Sequence, residues 1–287
     1  MELMDRKTDD TGNEAIRAGM PALVGGYAVV TGASSGLGRC FALELARRGI
    51  DTILLSLPGS GVENVARMAS GLGTRSIAFG TDMRDRDGLL DLCREINRKY
   101  AVSVLVNNVG AGGTLRLGDS SYEYLENIID LNVTSVTMMT RALLPNISGG
   151  NGGYILNVSS MAALSPIGFK TIYPASKRFV YDFTRGLREE LRGTGVSVST
   201  ILPGPMKTNR DVTARIERQG LFGKIGLLSP ETVARIGIDG MFSGKDVIIP
   251  GWMNRMYKLL ADIVPSCVRL PLVSRVVSRE LDEDNRI

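Results

Sequence analysis

The sequence predicts one α/β domain with a doubly wound, mostly parallel sheet of seven strands and helices on both faces. Short apolar runs alternate with segments of helical spacing from Tyr27 onward, and no linker divides the 287 residues. Several of these runs are continuous in Val, Ile and Leu, which is typical of strands buried on both faces. Such alternation favours a parallel sheet whose strands are joined by right-handed helical crossovers.

The predicted strands are the runs at residues 27–31, 52–56, 76–80, 102–107, 154–158, 196–202 and 247–250. Helical spacing is clearest at residues 37–48, 88–100, 122–144 and 173–191. Residues 205–229 lack strand character, and a segment of this length often covers an active site as a lid. We expect a mobile tail at residues 1–25, the main domain at 26–251 and a C-terminal extension at 252–287.

Composition and charge exclude several classes of protein. The formal net charge is +4, and no basic face with interleaved aromatics is evident, so we expect no nucleic-acid partner. The chain contains no histidine, which excludes a Ser-His-Asp triad and a His-ligated zinc site, and we expect no metal. Any proton transfer must therefore use Tyr, Lys, Asp, Glu or Cys.

The cysteines and the N-terminal region indicate the cellular compartment. Cys40, Cys93 and Cys267 are far apart and form no CxxC pair, which favours reduced thiols in a cytoplasmic protein. The first twenty residues carry mixed charges without an apolar core, so we expect neither a signal peptide nor a membrane span there.

A glycine-rich turn follows the first predicted strand. The run Thr31-Gly32-Ala33-Ser34-Ser35-Gly36-Leu37-Gly38 leads directly into a helical pattern. Glycines allow the main chain to approach a pyrophosphate, and the helix N-terminus offers free N–H groups to the anion. We therefore predict dinucleotide binding at Gly32, Ser34, Ser35, Gly36, Leu37 and Gly38.

The end of the second strand bears on the choice of dinucleotide. An acidic residue there would bind a ribose 2′-hydroxyl and repel a 2′-phosphate. This strand ends in Ser56-Leu57-Pro58, without an acid and without an arginine, although Arg39 lies near in sequence. We favour NADP and keep NAD as the alternative.

A Tyr and a Lys at helical spacing form the most informative pair in the chain. Tyr173 and Lys177 are four residues apart, so they share one face of a helix, and Ser160 lies thirteen residues upstream of Tyr173. A cation about 4 Å from a phenol contributes on the order of 4 kcal/mol at an effective dielectric near 20. We expect this attraction to lower the pKa of Tyr173 toward neutrality, where a general acid/base works best.

Together these residues resemble the short-chain dehydrogenase/reductase family. The shared motifs also include Asn107-Asn108-Val109-Gly110, Asn132 and Pro203-Gly204, and the resemblance covers about residues 26–251. It implies a Rossmann fold, hydride transfer between a nicotinamide and a carbonyl or secondary alcohol, and a homo-oligomer.

The resemblance also implies a role for each matching residue. Tyr173 is the expected acid/base, Lys177 its activator and ribose ligand, Ser160 the donor to the substrate oxygen, and Asn132 the holder of a water beside Lys177. The remaining expected cofactor contacts are Asp82 and Met83 at the adenine, Asn108 and Gly110 at the adenosine ribose, and Pro203, Gly204 and Thr208 near the carboxamide. Val109 replaces the family's usual Ala, and spacing selects Ser160 over Ser159.

The loop after Ser160 and the predicted lid are rich in apolar residues. Met161, Phe169 and Met206 are the expected substrate contacts, together with Leu164, Ile167, Leu221, Phe222 and Leu227. These side chains favour a lipophilic substrate: a 3-ketoacyl, sphingoid or steroid-like ketone or alcohol. Apolar loops can also serve packing alone.

The C-terminal extension mixes apolar and basic residues. Its pattern fits either a helical tail packed on its own domain or a partner subunit, or peripheral contact with a membrane. Pro265 and Pro271 are expected to break the extension into short pieces.

Two other functions use the same scaffold. A nucleotide-binding regulatory protein without turnover would be expected to lose Tyr173 or Lys177, and this chain keeps both. An epimerase or dehydratase is the other alternative, but those relatives are longer. The sequence therefore favours a simple oxidoreductase.

Overall fold

The computed structural model describes residues 26–150, 152–206 and 226–284, with side chains described up to residue 278. Seven strands form one sheet in the order β3-β2-β1-β4-β5-β6-β7, and every neighbouring pair is parallel. The strands are β1 (Tyr27–Thr31), β2 (Thr52–Ser56), β3 (Ser76–Gly80), β4 (Val102–Asn107), β5 (Gly153–Val158), β6 (Val196–Ile201) and β7 (Val247–Ile248). This confirms the predicted sheet, with all the pairs parallel rather than most of them.

Helices connect successive strands, as the alternating pattern predicted, and the last two helices follow β7. The helices are α1 (Gly36–Arg47), α2 (Val62–Ser70), α3 (Arg86–Lys99), α4 (Tyr122–Ile129), α5 (Ser135–Ser148), α6 (Ile172–Glu190), α7 (Pro230–Phe242), α8 (Trp252–Ile263) and α9 (Ser266–Asp284). The single helix predicted at residues 122–144 contains one irregular turn, because a π-helical segment at Asp130–Thr134 joins α4 to α5.

The core lies on both faces of the sheet. Ala28 and Val30 pack into one hydrophobic cluster with α1 and α7, whereas Val29 packs into a second cluster with α3 and α5. Successive side chains of a strand point to opposite faces, so a strand covered on both sides must be apolar throughout. This explains the unbroken apolar runs of the sequence.

The strand order reverses between β1 and β4, which both leave the sheet at its carboxyl edge. In open α/β sheets the crevice for a ligand lies at this switch point. The glycine turn after β1 and the segment after β4 therefore face the same crevice.

The C-terminal extension forms two helices. Pro265 separates α8 from α9, as predicted, but the prediction for Pro271 was wrong because α9 continues through it. A proline inside a helix removes one main-chain hydrogen bond, and the turns on either side of Pro271 remain helical. Within the described residues, no helix has the length and apolarity needed to cross a membrane.

Candidate active site

The turn between β1 and α1 depends on two glycines in the left-handed region of backbone space. Gly32 has a φ of 65° and Gly36 a φ of 52°, which residues other than glycine rarely adopt. Helix α1 begins at Gly36, and its cap residue Ser35 makes no side-chain hydrogen bond to the first turn. The first N–H groups of α1 are therefore available to an anion.

Gly38 allows the start of α1 to lie against the main chain of the turn. A Cβ atom added to Gly38 would collide with the carbonyl oxygen of Gly32 and would lie 2.5 Å from Asn108 Nδ2. Leu37, another predicted cofactor contact, is buried in the core, so only its main chain can face a nucleotide.

Thr31 and Asn108 join the two loops that bound the crevice. The Asn108 and Val109 N–H groups donate to Thr31 Oγ1 at 2.9 and 3.0 Å, and Asn108 Nδ2 donates to the Thr31 carbonyl at 2.9 Å. The Asn108 side chain is thus used to fix the glycine turn. Its expected contact with an adenosine ribose would have to share that side chain or use the main chain.

Asn132 lies in the π-helical turn and is fully buried. Its Nδ2 donates to the Ala111 carbonyl at 2.9 Å and to Ser176 Oγ at 2.8 Å, and its Oδ1 accepts from the Ala111 N–H at 2.9 Å. The side chain therefore fixes the segment after β4 to α6. The expected role of Asn132 in holding a water would therefore have to use its main chain, because both polar atoms of its side chain already make hydrogen bonds.

Lys177 lies beneath the crevice on α6 and is only 6% exposed. Its Nζ donates to the Val158 carbonyl at 3.0 Å, and burial lowers the pKa of the ammonium to about 8. A Cβ atom added to Gly110 would lie 3.1 Å from this Nζ and 2.7 Å from Asn132 Oδ1. The structure thus brings Gly110, Asn132 and Lys177 together; the resemblance implied that Asn132 and Lys177 are close, but it placed Gly110 at the adenosine ribose.

Tyr173 lies one turn before Lys177 on α6, with its ring against the main chain of Gly112. A Cβ atom added to Gly112 would lie 2.7 Å from Tyr173 Cδ2. The Tyr173 carbonyl accepts from Ser176 Oγ at 2.8 Å, so Ser176 connects the Tyr173 turn to Asn132. The half-buried ring therefore lies beside the segment that Asn132 holds.

The two adjacent serines after β5 have different environments. Ser159 is buried, and its hydroxyl donates to the Lys177 carbonyl at 2.7 Å. Ser160 is half-buried, and its Oγ accepts from the Ala162 N–H at 3.1 Å, which leaves its hydroxyl proton for another acceptor. This difference agrees with the choice of Ser160 from spacing.

Asp82 and Met83, the residues predicted to contact adenine, make other contacts in the structure. Asp82 pairs with Arg84 at 2.7 Å, and the hydrogen bonds from Arg84 lower the pKa of that carboxyl. Met83 is buried in the same hydrophobic cluster as Leu89, so its expected contact with an adenine would use its main chain.

The segment after β6 is held by a residue that the sequence analysis missed. The Pro203 carbonyl accepts from the Met161 N–H at 3.0 Å, and a Cβ atom on Gly204 would lie 2.6 Å from Asn254 Oδ1. Asn254, buried at the start of α8, donates to the carbonyls of Pro250 and Gly226 at 2.7 and 3.2 Å. It thus contacts both ends of the predicted lid.

Several predicted residues of the lid lie outside the described residues, which have a gap at 207–225. They are Thr208, Leu221 and Phe222. The expected N-terminal tail at residues 1–25 also lies outside.

Two of the three predicted substrate residues pack into hydrophobic clusters. Met161 is 8% exposed and lies in a cluster with Tyr181, whereas Met206 packs against the core beside Leu228. The apolar character of these two positions thus serves packing, and their contact with a substrate stays a prediction.

Phe169, the third predicted substrate residue, lies in a strained loop beside Tyr173. Its φ is 64°, the one positive φ at a non-glycine residue in the described part of the chain. Its carbonyl accepts from the Leu115 N–H at 2.7 Å, and the Arg116 guanidinium lies 5.0 Å from the centre of its ring. Ser274 of α9 accepts from the neighbouring Gly168 N–H at 2.8 Å.

A buried polar network below the crevice was not predicted from the sequence. Asn107 Nδ2 donates to Asn157 Oδ1 at 2.8 Å and to Thr140 Oγ1 at 3.0 Å, and Asn157 Nδ2 donates to Thr184 at 3.0 Å. An Asn inside the apolar run of β5 was the available signal. The sequence contains no comparable signal for Asn254, Arg116 and Ser274, because the residues that they contact are distant in sequence.

A family model decides the membership of the chain. The model described as short chain dehydrogenase matches residues 26–219, which is more than half of the chain. The chain belongs to this family. As a short-chain dehydrogenase it is an oxidoreductase, and its seven-stranded sheet is the family fold.

Individual relatives agree with this assignment. The chain is 34% identical over 261 residues to a very-long-chain 3-oxoacyl-CoA reductase of Anas platyrhynchos, covering 83% of this chain and 78% of the relative. It is 30% identical to the ketoacyl reductase HetN of Nostoc sp., with 75% of each chain covered. A short-chain dehydrogenase of Sphingobium yanoikuyae, solved with NADPH, superposes with a TM-score of 0.72 at 24% identity, covering 83% of this chain and 93% of that one.

Proposed function

We propose that this short-chain dehydrogenase reduces a lipophilic ketone with NADPH, using Tyr173 as the proton donor. A 3-oxoacyl compound is the favoured substrate, because two relatives are named 3-oxoacyl-CoA or ketoacyl reductases. Sphingoid and steroid-like ketones share the required chemistry, a carbonyl within a long apolar body. NAD remains the alternative cofactor.

The observation that carries the proposal is the convergence of Lys177, Asn132 and Tyr173 on two glycines after β4. Side chains at Gly110 and Gly112 would overlap the space next to Lys177 and the Tyr173 ring. Together with the glycine turn at the start of α1, these residues line the crevice in which a dinucleotide would bind. The first N–H groups of α1 would hold the pyrophosphate, and Lys177 would hold the nicotinamide ribose.

The chemistry requires one hydride and one proton. A bound nicotinamide supplies the hydride to the carbonyl carbon. Tyr173 donates its phenolic proton to the carbonyl oxygen as negative charge develops there, and the Ser160 hydroxyl donates a hydrogen bond to the same oxygen. The Lys177 ammonium stabilises the resulting phenolate until solvent returns the proton.

The preference for NADPH follows from the surface at the end of β2. Ser56 is the last residue of that strand, and its hydroxyl donates to Ser34 Oγ at 2.9 Å. No carboxylate follows it in Leu57-Pro58, so nothing there repels a 2′-phosphate. Arg39 is the positively charged residue next to this turn, and its guanidinium lies 3.7 Å from the Met68 sulfur. Comparing kcat/KM for NADPH and NADH in wild type and Arg39→Gln tests the preference, which should weaken in the variant.

Tyr173→Phe tests the mechanism. We expect kcat to fall by about a thousandfold or more, because the variant lacks the donated proton, while the affinity for the dinucleotide stays the same. Steady-state rates on a long-chain 3-oxoacyl thioester measure the first effect, and titration of nicotinamide fluorescence measures the second. Near-normal turnover in this variant would refute the proposal.

The cytoplasmic location and the homo-oligomer remain predictions. Sedimentation of the purified chain tests the oligomer.

A further inference from the structure

The C-terminal extension carries most of the exposed apolar surface. Nine of the sixteen exposed large hydrophobic side chains in the described part of the chain lie between residues 252 and 272. Scattered apolar residues are normal on a protein surface, but a continuous group indicates an interaction site. The nine are Trp252, Met253, Met256, Leu259, Leu260, Ile263, Val268, Leu270 and Leu272.

Helix α8 separates its residues into three arcs. Asn254, Tyr257 and Ala261 face the protein: the first and last are buried, and Tyr257 packs against the cluster that contains Met161. The exposed apolar residues of α8 recur at spacings of three, four and seven, which at 3.6 residues per turn gives a stripe roughly 120° wide. The apolar stripe is therefore separate from the face that packs on the domain.

The third arc of α8 is charged. Arg255, Lys258 and Asp262 recur at helical spacing beside the apolar stripe, and Lys258 pairs with Asp262 at 2.7 Å. On α9, Arg275 is exposed, whereas Arg269 donates to the Ala261 carbonyl and joins the two helices. Residues 252–278 thus carry four basic side chains and one acidic side chain.

We propose that the apolar stripe of α8, with Val268 and Leu272 of α9, inserts into the interface of a membrane that contains anionic lipids. A helix with an apolar face flanked by Lys and Arg lies in the plane of such an interface. The long basic side chains can extend to the phosphates while their stems stay in the apolar layer. The chain then lies on the membrane without crossing it.

Charge distinguishes a lipid surface from a second copy of this chain. A two-fold interface brings the same patch of each subunit together, which would set the basic residues of one extension against those of the other. An anionic lipid surface attracts the same residues. The excess of basic residues within residues 252–278, the part of the extension that carries the exposed apolar side chains, therefore favours the membrane.

The membrane surface would lie near the proposed substrate side. Ser274 of α9 holds the Gly168 N–H, next to Phe169 and four residues before Ile172, where α6 begins. A lipophilic substrate could then reach the crevice from the bilayer. Only this consequence rests on the proposed function; the docking itself does not.

Vesicle flotation of the full chain tests the docking. We expect wild type to float with vesicles of phosphatidylcholine and phosphatidylglycerol and to float less with phosphatidylcholine alone. The double substitution Leu259→Gln and Ile263→Gln should weaken binding by at least about tenfold, because each polar amide loses the gain from burying an apolar side chain. High salt should also weaken binding by screening the basic residues.

A matched control has the same polar substitutions at exposed residues outside the extension. Leu72→Gln with Tyr122→Gln should leave flotation unchanged, and circular dichroism should show both double variants folded. Equal flotation of the two double variants would overturn the proposal, as would wild type that binds neither vesicle. A dimer that dissociates only in the α8 variant, without vesicle binding, would identify a second copy as the occupant and also overturn it. Flotation does not depend on turnover, so the flotation result can be interpreted even if the proposed reaction is not observed.

Discussion

The glycine turn after β1 and the loop after β5 lie at the same edge of the sheet, but they are held in different ways. Three hydrogen bonds of 2.9 to 3.0 Å between Thr31 and residues 108 and 109 fix the glycine turn, and they join the end of β1 to the segment after β4. The loop after β5 is held by Leu115 and by Ser274 of the C-terminal extension, more than a hundred residues away.

This difference shows which parts of the site depend on local motifs. The proposed nucleotide side is determined by glycines and by side chains within short segments of the sequence. The proposed substrate side is determined by the packing of distant segments, and its Phe169 has a backbone conformation that costs about 1 kcal/mol or more. Substitutions on the two sides should therefore affect different steps.

Gly38→Ala should have the largest effect on the nucleotide side. The added methyl group would collide with the Gly32 carbonyl, which is main chain and cannot move without opening the turn. We expect dinucleotide affinity to fall by about a hundredfold and the free energy of unfolding to fall by about 1–3 kcal/mol. Fluorescence titration and urea denaturation measure the two changes.

Gly186→Ala is the matched control for that substitution. Gly186 lies inside α6, and a Cβ atom there would meet nothing within 4 Å. This variant should gain about 0.5–1 kcal/mol of stability from helix propensity and keep its affinity for the dinucleotide. Equal affinities in the two glycine variants would contradict the assignment of the turn.

Lys177→Met tests the buried ammonium through its pH dependence. Burial lowers the pKa of Lys177 to about 8 in the folded chain, so between about pH 8 and the ordinary lysine value the unfolded chain binds more protons. The wild type should therefore gain stability relative to the variant as pH rises through this window, by up to about 3 kcal/mol. Urea denaturation at several pH values measures the difference, and a constant difference would show that the ammonium is not desolvated.

Ser274→Ala should have the smallest effect, confined to the substrate side. The loss of one hydrogen bond to Gly168 costs about 1 kcal/mol, so we expect a several-fold higher KM for substrate with unchanged dinucleotide affinity. Ser278→Ala is the control, because the Ser278 hydroxyl donates to the Arg275 carbonyl within α9. If both variants changed KM equally, the contact with the loop would have no special role.

The same division explains what the sequence could predict. All seven strands were predicted, because apolar runs carry that signal locally, and the closeness of Asn132 and Lys177 was expected from the resemblance. Met161 and Met206 were predicted to contact the substrate, and the sequence could not show that both also pack against buried residues, since an apolar residue looks the same in a loop and in a core. The contacts of Asn254 and Ser274 could not be predicted, because they join segments that only the fold brings together.

A structure of the chain with oxidised NADP bound would show whether the glycine turn and Lys177 hold the cofactor. We expect the pyrophosphate on the first N–H groups of α1 and the nicotinamide ribose within hydrogen-bond distance of Lys177 Nζ, with the ring beside Tyr173. A dinucleotide bound elsewhere, or a Lys177 that makes no contact with the ribose, would refute the proposed site.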